Sequence, residues 1–196
     1  MGQLFNFDYY KEGLKKIKCY YTYHGKINPD YNCWEGYILV ENTDGLLDIK
    51  GFEKDGMDRD RLRYILGPRA VSYADKSLSF EIYPGWLSPI IYDLHYSVED
   101  GCFYGRWFVS PSKKHYLPAN ENGEAIIRIE DVELTDKQTK GIMETIRSVG
   151  QIKETEYCDE IKAYEFMVMR QVSYYGESSS VRAREKLTGY SSLIKQ

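Results

Sequence analysis

The strongest constraint on the fold of this chain is a series of short, two-faced apolar segments separated by turn residues within residues 1–134. In one of them, Leu78, Phe80 and Ile82 alternate with small or charged residues. A side-chain period of two is the period of a β-strand. Because the intervening loops are too short for helical crossovers, the pattern predicts an antiparallel sheet and argues against a parallel α/β fold.

Eight segments of this kind can be counted, and turn signals such as Asp44-Gly45 favour hairpins between them. The predicted strands are Ile17–His24, Trp34–Asn42, Leu46–Glu53, Arg61–Leu66, Ser77–Tyr83, Ile90–Val98, Cys102–Ser110 and Glu124–Glu133. Closure of such a sheet removes its free edges. We therefore predict a mainly β fold, an eight-stranded antiparallel up-and-down barrel with a C-terminal helical appendage.

The apolar period changes at residue 135. Thr135 and Gln138 have the spacing of a helix capping box, and apolar residues then recur at helical spacing from Ile142. Gly150 is predicted to end this helix, and a second helix is predicted to begin near Thr155.

We therefore divide the chain into a barrel domain, residues 1–134, and a C-terminal helical extension, residues 135–196, packed on or beside the barrel. The length of 196 residues, with 42% hydrophobic and 29% charged residues, fits a globular protein and excludes collagen-like and disordered classes. The four cysteines show no CxxC spacing and are predicted to be reduced, mostly buried residues of a cytoplasmic protein. Pairing into two disulfides is the alternative that the sequence leaves open.

The net charge bears on which classes of molecule the protein is expected to bind. Lys and Arg number 26 and Asp and Glu number 30, so the net charge of −4 argues against a nucleic-acid-binding protein. The longest uncharged apolar run, around Leu87–Tyr92, is too short to span a bilayer, and the first residues lack the pattern of a secretory signal. We expect a cytoplasmic protein with no nucleic-acid or membrane partner.

Catalytic and cofactor motifs are absent from the sequence. The three histidines are scattered, and no glycine-rich phosphate loop occurs, so no metal and no cofactor is predicted. Asp93, His95 and Ser97 share one strand face, but residues two apart lie side by side, whereas a catalytic triad places its base between nucleophile and orienting acid. We predict a non-enzymatic protein, with a hydrolase using His95 or His24 as the remaining enzymatic alternative.

Several turn and strand motifs follow one another in an order that resembles a known group of barrel proteins. The motifs are Gly51–Gly56, Tyr64–Gly67, Leu78–Phe80, Tyr92–Tyr96 and Gly101–Trp107. Over roughly residues 17–132 this order resembles the calycin-type barrels, the lipocalin, fatty-acid-binding and avidin-like group. The resemblance implies a barrel whose interior holds a small apolar or aromatic ligand. The Gly-x-Trp of lipocalins lies on the first strand and is placed elsewhere here, so no ligand-binding residue is carried over.

Tyrosine is unusually frequent, with 19 residues in 196, and its apolar ring with a polar tip suits a ligand-lined cavity. We predict a non-enzymatic small-molecule-binding barrel. Its candidate ligand-binding residues are Tyr21, Tyr23, Trp86, Tyr92, Tyr96, Arg106 and Trp107. If Arg106 faces the interior, it is a buried cation that needs a carboxylate or an anionic ligand; if it faces outward, it is a surface arginine stacked on aromatic rings.

The alternative function is a protein-interaction module with a packed barrel. In that case the C-terminal segment, with Met167, Met169 and the basic stretch Arg182–Lys186, contacts a protein partner or forms a homodimer.

Overall fold

The computed structural model describes residues 12–43, 46–54, 63–72, 76–83, 90–109, 122–156 and 181–195. Its strands are β1 (Gly13–Tyr21), β2 (Cys33–Thr43), β3 (Leu46–Glu53), β4 (Arg63–Ser72), β5 (Ser77–Tyr83), β6 (Ile90–Ser97), β7 (Cys102–Val109) and β8 (Asn122–Asp131). Each strand pairs antiparallel with the next, and β8 pairs with β1 to close the barrel. The predicted eight-stranded antiparallel barrel is confirmed. It is compatible with the calycin-like resemblance.

The barrel interior is a single apolar cluster to which all eight strands contribute. Near the starts of β2 and β6, Trp34 Nε1 donates a hydrogen bond of 3.0 Å to the Tyr92 hydroxyl, and the Phe80 ring stacks on Tyr92 with centroids 5.0 Å apart. Buried polar atoms cost free energy unless they are hydrogen-bonded. Here the two polar groups satisfy each other, so aromatic side chains fill this part of the barrel interior.

Glycines at interior-facing positions allow neighbouring strands to approach closely. A Cβ atom added at Gly51 would lie 1.9 Å from the Tyr37 carbonyl oxygen, and one added at Gly105 would lie 2.0 Å from the Asp93 carbonyl oxygen. A Cβ at Gly36 would meet the backbone of β3 in the same way. Glycine kinks of this kind let a twisted sheet curve and close.

The two ends of the barrel differ in their connections. At the end where β1, β3, β5 and β7 finish, the connections span residues 22–32, 54–62, 84–89 and 110–121. At the other end they span residues 44–45, 73–76 and 98–101. We call the first the long-loop end and the second the short-loop end. Binding residues of many proteins lie on or beside loops that a rigid scaffold positions.

The C-terminal part packs against the outside of the barrel. Helix α1 spans Asp136–Glu156 and contacts β2 and β3. Residues 181–187 form helix α2, followed by a 3₁₀ turn at Thr188–Tyr190 and the short helix α3 at Ser191–Ile194. The side chains that bury this segment on the outer face of β1, β7 and β8 are Ala183, Leu187, Ile194, Tyr20, Cys102, Tyr104 and Ile126.

The predicted bounds of the first strand, Ile17–His24, are wrong at both ends, because β1 spans Gly13–Tyr21. His24 and Gly25 have φ angles of 50° and 73°, which belong to a tight turn and not to a strand. The start was missed because its lysines interrupt the apolar alternation.

The fourth strand was predicted over Arg61–Leu66, but β4 spans Arg63–Ser72. Its register with β5 shifts between Leu66 and Val71. A bulge leaves residues unpaired in the ladder, so the strand can continue through Pro68, which has no backbone N–H to donate.

The predicted capping box is confirmed at the start of α1. The Gln138 backbone N donates to Thr135 Oγ1 at 3.2 Å, and the Thr135 backbone N donates to Gln138 Oε1 at 3.0 Å. The predicted end at Gly150 is wrong, since α1 continues to Glu156. Glycine inside a helix costs about 1 kcal/mol relative to alanine, which does not force an end. Beyond Glu156, the second helix predicted from Thr155 lies outside the described residues.

Candidate functional site

The predicted ligand-binding residues lie in different places. Four of them face the interior: Tyr21, Tyr92, Tyr96 and Trp107. Tyr23 follows the end of β1 and has 41% of its surface exposed, and Arg106 faces outward. Trp86 lies outside the described residues. Tyr92 pairs in register with Trp107 but is 3% exposed and packs against Trp34 and Phe80, and Tyr96 packs on Phe103 near the short-loop end. The structure therefore brings together Tyr21, Tyr23 and Trp107 at the long-loop end.

These three rings form what we call the aromatic mouth. The Tyr23 ring stacks on Trp107 with centroids 6.3 Å apart and planes 19° apart, and Tyr21 meets Trp107 edge-on at 5.9 Å. Trp107 Nε1 donates a hydrogen bond of 2.9 Å to the Thr22 carbonyl oxygen. A Cβ at Gly123 would lie 2.4 Å from Trp107 Nε1, so the glycine leaves the space that the indole occupies.

A charged pair lies inside the same end of the barrel. Glu53 is the last residue of β3 and shares the interior parity of Ile49, and only 3% of its surface is exposed. Arg63, the first residue of β4, places Nη1 at 3.5 Å from Glu53 Oε2. Sequence reasoning missed this pair. The sequence does contain a signal for it. Glu53 lies four residues after Ile49 on the same strand, and residues an even number of positions apart share one face of a strand.

Tyr21 connects the charged pair to the aromatic mouth. Burial raises the pKa of Tyr21, the negative charge of Glu53 adds to that shift, and Asn32 and the positive charge of Arg63 oppose it. Tyr21 therefore lies within electrostatic range of both charges while its ring touches Trp107. Burial of an ion pair carries a large desolvation cost, so a pair of this kind beside a tyrosine with a raised pKa marks a candidate functional site.

Arg106 lies on the outer wall, the second of the two placements considered for it. Its Nε is 3.7 Å from Asp93 Oδ2, and its guanidinium lies 4.9 Å from the centroid of the Phe108 ring. Asp93 is almost fully buried, and burial raises its pKa although Arg106 and His95 oppose the shift. The pair joins β6 to β7 and lies outside the aromatic mouth.

The raised pKa of Asp93 leads to a pH prediction. Because the folded-state pKa exceeds the unfolded value, ionisation of Asp93 lowers stability as pH rises through the folded-state pKa. Asp93→Asn is therefore expected to be more stable than wild type at pH 7, with the difference shrinking as pH falls towards 4. Urea denaturation over that range measures it, with the exposed Asp30→Asn as control, expected within about 0.5 kcal/mol of wild type. Equal or lower stability of Asp93→Asn at pH 7 contradicts this assignment.

The residues of the hydrolase alternative lie in turns and on the outer wall. Ser97 Oγ donates to Asp100 Oδ2 at 3.3 Å, and the Asp100 backbone N donates to Ser97 Oγ at 3.4 Å. These contacts tie Ser97, the last residue of β6, to the β6–β7 turn, and in the described part of the chain no hydrogen bond joins it to His95. His24 occupies the tight turn after Tyr23, and its ring contacts the Tyr23 ring at 4.2 Å.

A cleft of about 280 Å³ opens on the outer wall at the short-loop end. Its lining residues are His95, Tyr96, Ser97, Val98, Glu99, Tyr104, Val181 and Arg184. Arg184 is anchored there, with Nε donating to Asp100 Oδ2 at 3.1 Å and Nη2 paired with Glu99. The cleft lies on the outer wall, whereas the aromatic mouth lies at the long-loop end of the interior.

The described residues hold three free thiols and no cluster of metal-ligating side chains. Within the described ranges, no group of three or more His, Cys, Asp or Glu side chains could hold a metal ion. Cys19, Cys33 and Cys102 are free thiols, and Cys158 lies outside the described residues. Burial raises the pKa of Cys102 to about 11, so its thiol is protonated at neutral pH.

Comparisons with protein-family models, with curated proteins and with solved structures found no match for this chain. In the part of the chain that the structure describes, no helix is both long enough and apolar enough to cross a membrane. The aromatic mouth and the adjacent charged pair therefore carry the functional argument.

Proposed function

We propose that this barrel binds a small aromatic molecule at its long-loop end, without catalysing a reaction. The observation that carries the proposal is the Glu53–Arg63 pair at the end of the barrel that holds Tyr21, where the Glu53 carboxylate is buried against a large apolar cluster. Among the described residues, the other buried charge with interior parity is Lys15, which pairs with the exposed Asp131 at the short-loop end. Replacing a buried ion pair with apolar residues is often neutral or stabilising, so fold stability alone gives little reason to keep one.

The chemistry of the pair defines the ligand class. The Arg63 guanidinium is a hydrogen-bond donor and the Glu53 carboxylate an acceptor, and the two lie 3.5 Å apart. They complement a ligand edge that carries an acceptor next to a donor, as the C=O and N–H of a cyclic amide do. A flat ring attached to that edge would pack against Trp107 and Tyr21, where aromatic contacts contribute about 0.5–1.5 kcal/mol beyond area burial.

The packing of the interior supports a ligand site at the mouth of the barrel. The Trp34, Tyr92 and Phe80 side chains fill the interior next to Trp107, whose register partner is Tyr92. Tyr23, in contrast, is 41% exposed and can be reached from solvent. The calycin-like resemblance implies a ligand within the barrel, and the described packing supports a site at its end.

Titration with 2-quinolone, a bicyclic cyclic amide, tests the proposal through quenching of tryptophan fluorescence. Naphthalene, of the same shape without the amide, is the matched control. Because a hydrogen bond to a charged group contributes about 1.5–3 kcal/mol, 2-quinolone is expected to bind at least about tenfold more tightly. Trp107→Phe should remove the quenching. Equal affinity for the two compounds contradicts the proposal. So does binding that is lost only when Val98 and Val181 are substituted, because these residues line the outer cleft and not the mouth.

The alternative function, an interaction module that uses the C-terminal segment, receives less support from the described contacts. Ala183, Leu187 and Ile194 are buried on the barrel's own outer face and are not free for a partner. Met167 and Met169, which that hypothesis also uses, lie outside the described residues.

A further inference from the structure

We propose that Lys186 of helix α2 acts as a positioning residue for Trp107, through Glu124 and Thr22, so that the C-terminal helix clamps the aromatic mouth. The hydrogen-bond chain itself is independent of any ligand. Its effect on binding rests on the function proposed above.

The first link crosses from the helix to the barrel. Lys186 Nζ pairs with Glu124 Oε1, and Glu124 Oε2 accepts a hydrogen bond of 2.6 Å from Thr22 Oγ1. Both carboxylate oxygens of Glu124 are therefore engaged, one by the helix and one by the segment that follows β1. Hydrogen bonds to an ionised group are roughly twice as strong as neutral ones.

The second link fixes Thr22. Its backbone N donates to the Glu124 carbonyl oxygen at 2.9 Å, and the Glu124 backbone N donates to Thr22 Oγ1 at 2.9 Å. Together with the carboxylate contact, three hydrogen bonds join Thr22 to Glu124. Thr22 is 4% exposed, so water competes little for these groups.

The third link reaches the mouth. The carbonyl oxygen of Thr22 accepts the hydrogen bond from Trp107 Nε1, at 2.9 Å. A Cβ at Gly123 would lie 2.5 Å from that carbonyl oxygen and 2.4 Å from Trp107 Nε1, so the three groups are in close contact. A displacement of Thr22 must therefore move the Trp107 indole or break its hydrogen bond.

Helix α2, which carries the Lys186 end of the hydrogen-bond chain, is itself anchored to the barrel. Leu187, next to Lys186, is 1% exposed against the barrel, and Arg184 pairs with Glu99 and Asp100. The backbone that carries Lys186 is therefore held against the barrel, and its side chain, 51% exposed, reaches Glu124 from there. Displacement of α2, by a partner or by modification of Lys186, would loosen the Trp107 side of the aromatic mouth.

The test labels the protein with 5-fluorotryptophan and assigns the ¹⁹F resonance of Trp107 with Trp107→Phe. Lys186→Met removes the charge and keeps the aliphatic length. The Trp107 resonance is expected to shift or broaden, while that of Trp34 stays unchanged. Arg182→Met, an exposed change on the same helix with no ion pair among the described residues, is the control and should leave both resonances in place.

A double-mutant cycle separates coupling from general damage. Glu124→Gln should perturb the Trp107 resonance as Lys186→Met does. The double variant should perturb it little more than either single variant, because both changes break the same chain of hydrogen bonds. An unchanged Trp107 resonance in Lys186→Met, or additive changes in the double variant, overturns the clamp. Affinity for 2-quinolone should fall about threefold or more in Lys186→Met. If wild type does not bind 2-quinolone, the proposed function fails while the ¹⁹F result still decides the clamp.

Discussion

Gly105→Ala is expected to give the largest loss of stability, about 3 kcal/mol or more, because a Cβ there would overlap backbone atoms of the paired strand. It would lie 2.0 Å from the Asp93 carbonyl oxygen and 2.6 Å from Leu94 Cα. Neither atom can move aside as a flexible side chain could. The substitution would therefore force β6 and β7 apart at this point and disturb the closure of the barrel.

Urea denaturation followed by circular dichroism measures this loss. Gly141→Ala is the matched control, since Gly141 lies in α1 and a Cβ there would meet nothing within 4 Å. It is expected to stabilise the protein by about 0.5–1 kcal/mol through helix propensity. A Gly105→Ala protein as stable as wild type would show that β6 and β7 do not approach as described.

Arg63→Met is expected to destabilise the protein by about 3 kcal/mol, because it removes the cation paired with the buried carboxylate of Glu53. The Arg63 side chain is 16% exposed and that of Glu53 is 2% exposed, so solvent screens the pair only slightly. The control is Arg128→Met, whose partner Glu130 lies on the more exposed outer face. That change should cost less than about 1 kcal/mol.

The double variant Glu53→Met/Arg63→Met separates stability from recognition. Replacing both charges with apolar side chains is expected to restore most of the stability lost in Arg63→Met. The preference for 2-quinolone over naphthalene should nevertheless disappear, since the donor and the acceptor are both gone. A double variant that keeps the preference would show that the charged pair does not contact the ligand.

Local pattern was sufficient to predict most of the fold. The alternation of Leu78, Phe80 and Ile82 places these side chains in the interior, and the Thr135–Gln138 capping box begins α1 as predicted. Both features depend on residues close together in sequence, whose periodicity is fixed by strand and helix geometry.

The candidate site could be predicted only in part. Tyr21, Tyr23 and Trp107 were identified by residue type, but their meeting at one end depends on how β7 and β1 are joined through β8. Glu53 was missed because a charged residue at a strand end is usually solvent-exposed. The pairing of Lys186 with Glu124 joins residues 62 positions apart, which no local pattern encodes.

The central claim, that the long-loop end binds a small aromatic molecule, is tested most directly by native mass spectrometry of protein purified without refolding. Spectra of wild type and of Glu53→Met/Arg63→Met would be compared with and without 2-quinolone. We predict one bound molecule per wild-type chain, either retained from purification or added, and a bare chain for the double variant. A bare wild-type chain at saturating 2-quinolone, or equal adducts on both proteins, would contradict the claim, and a dimer without an adduct would favour the interaction module instead.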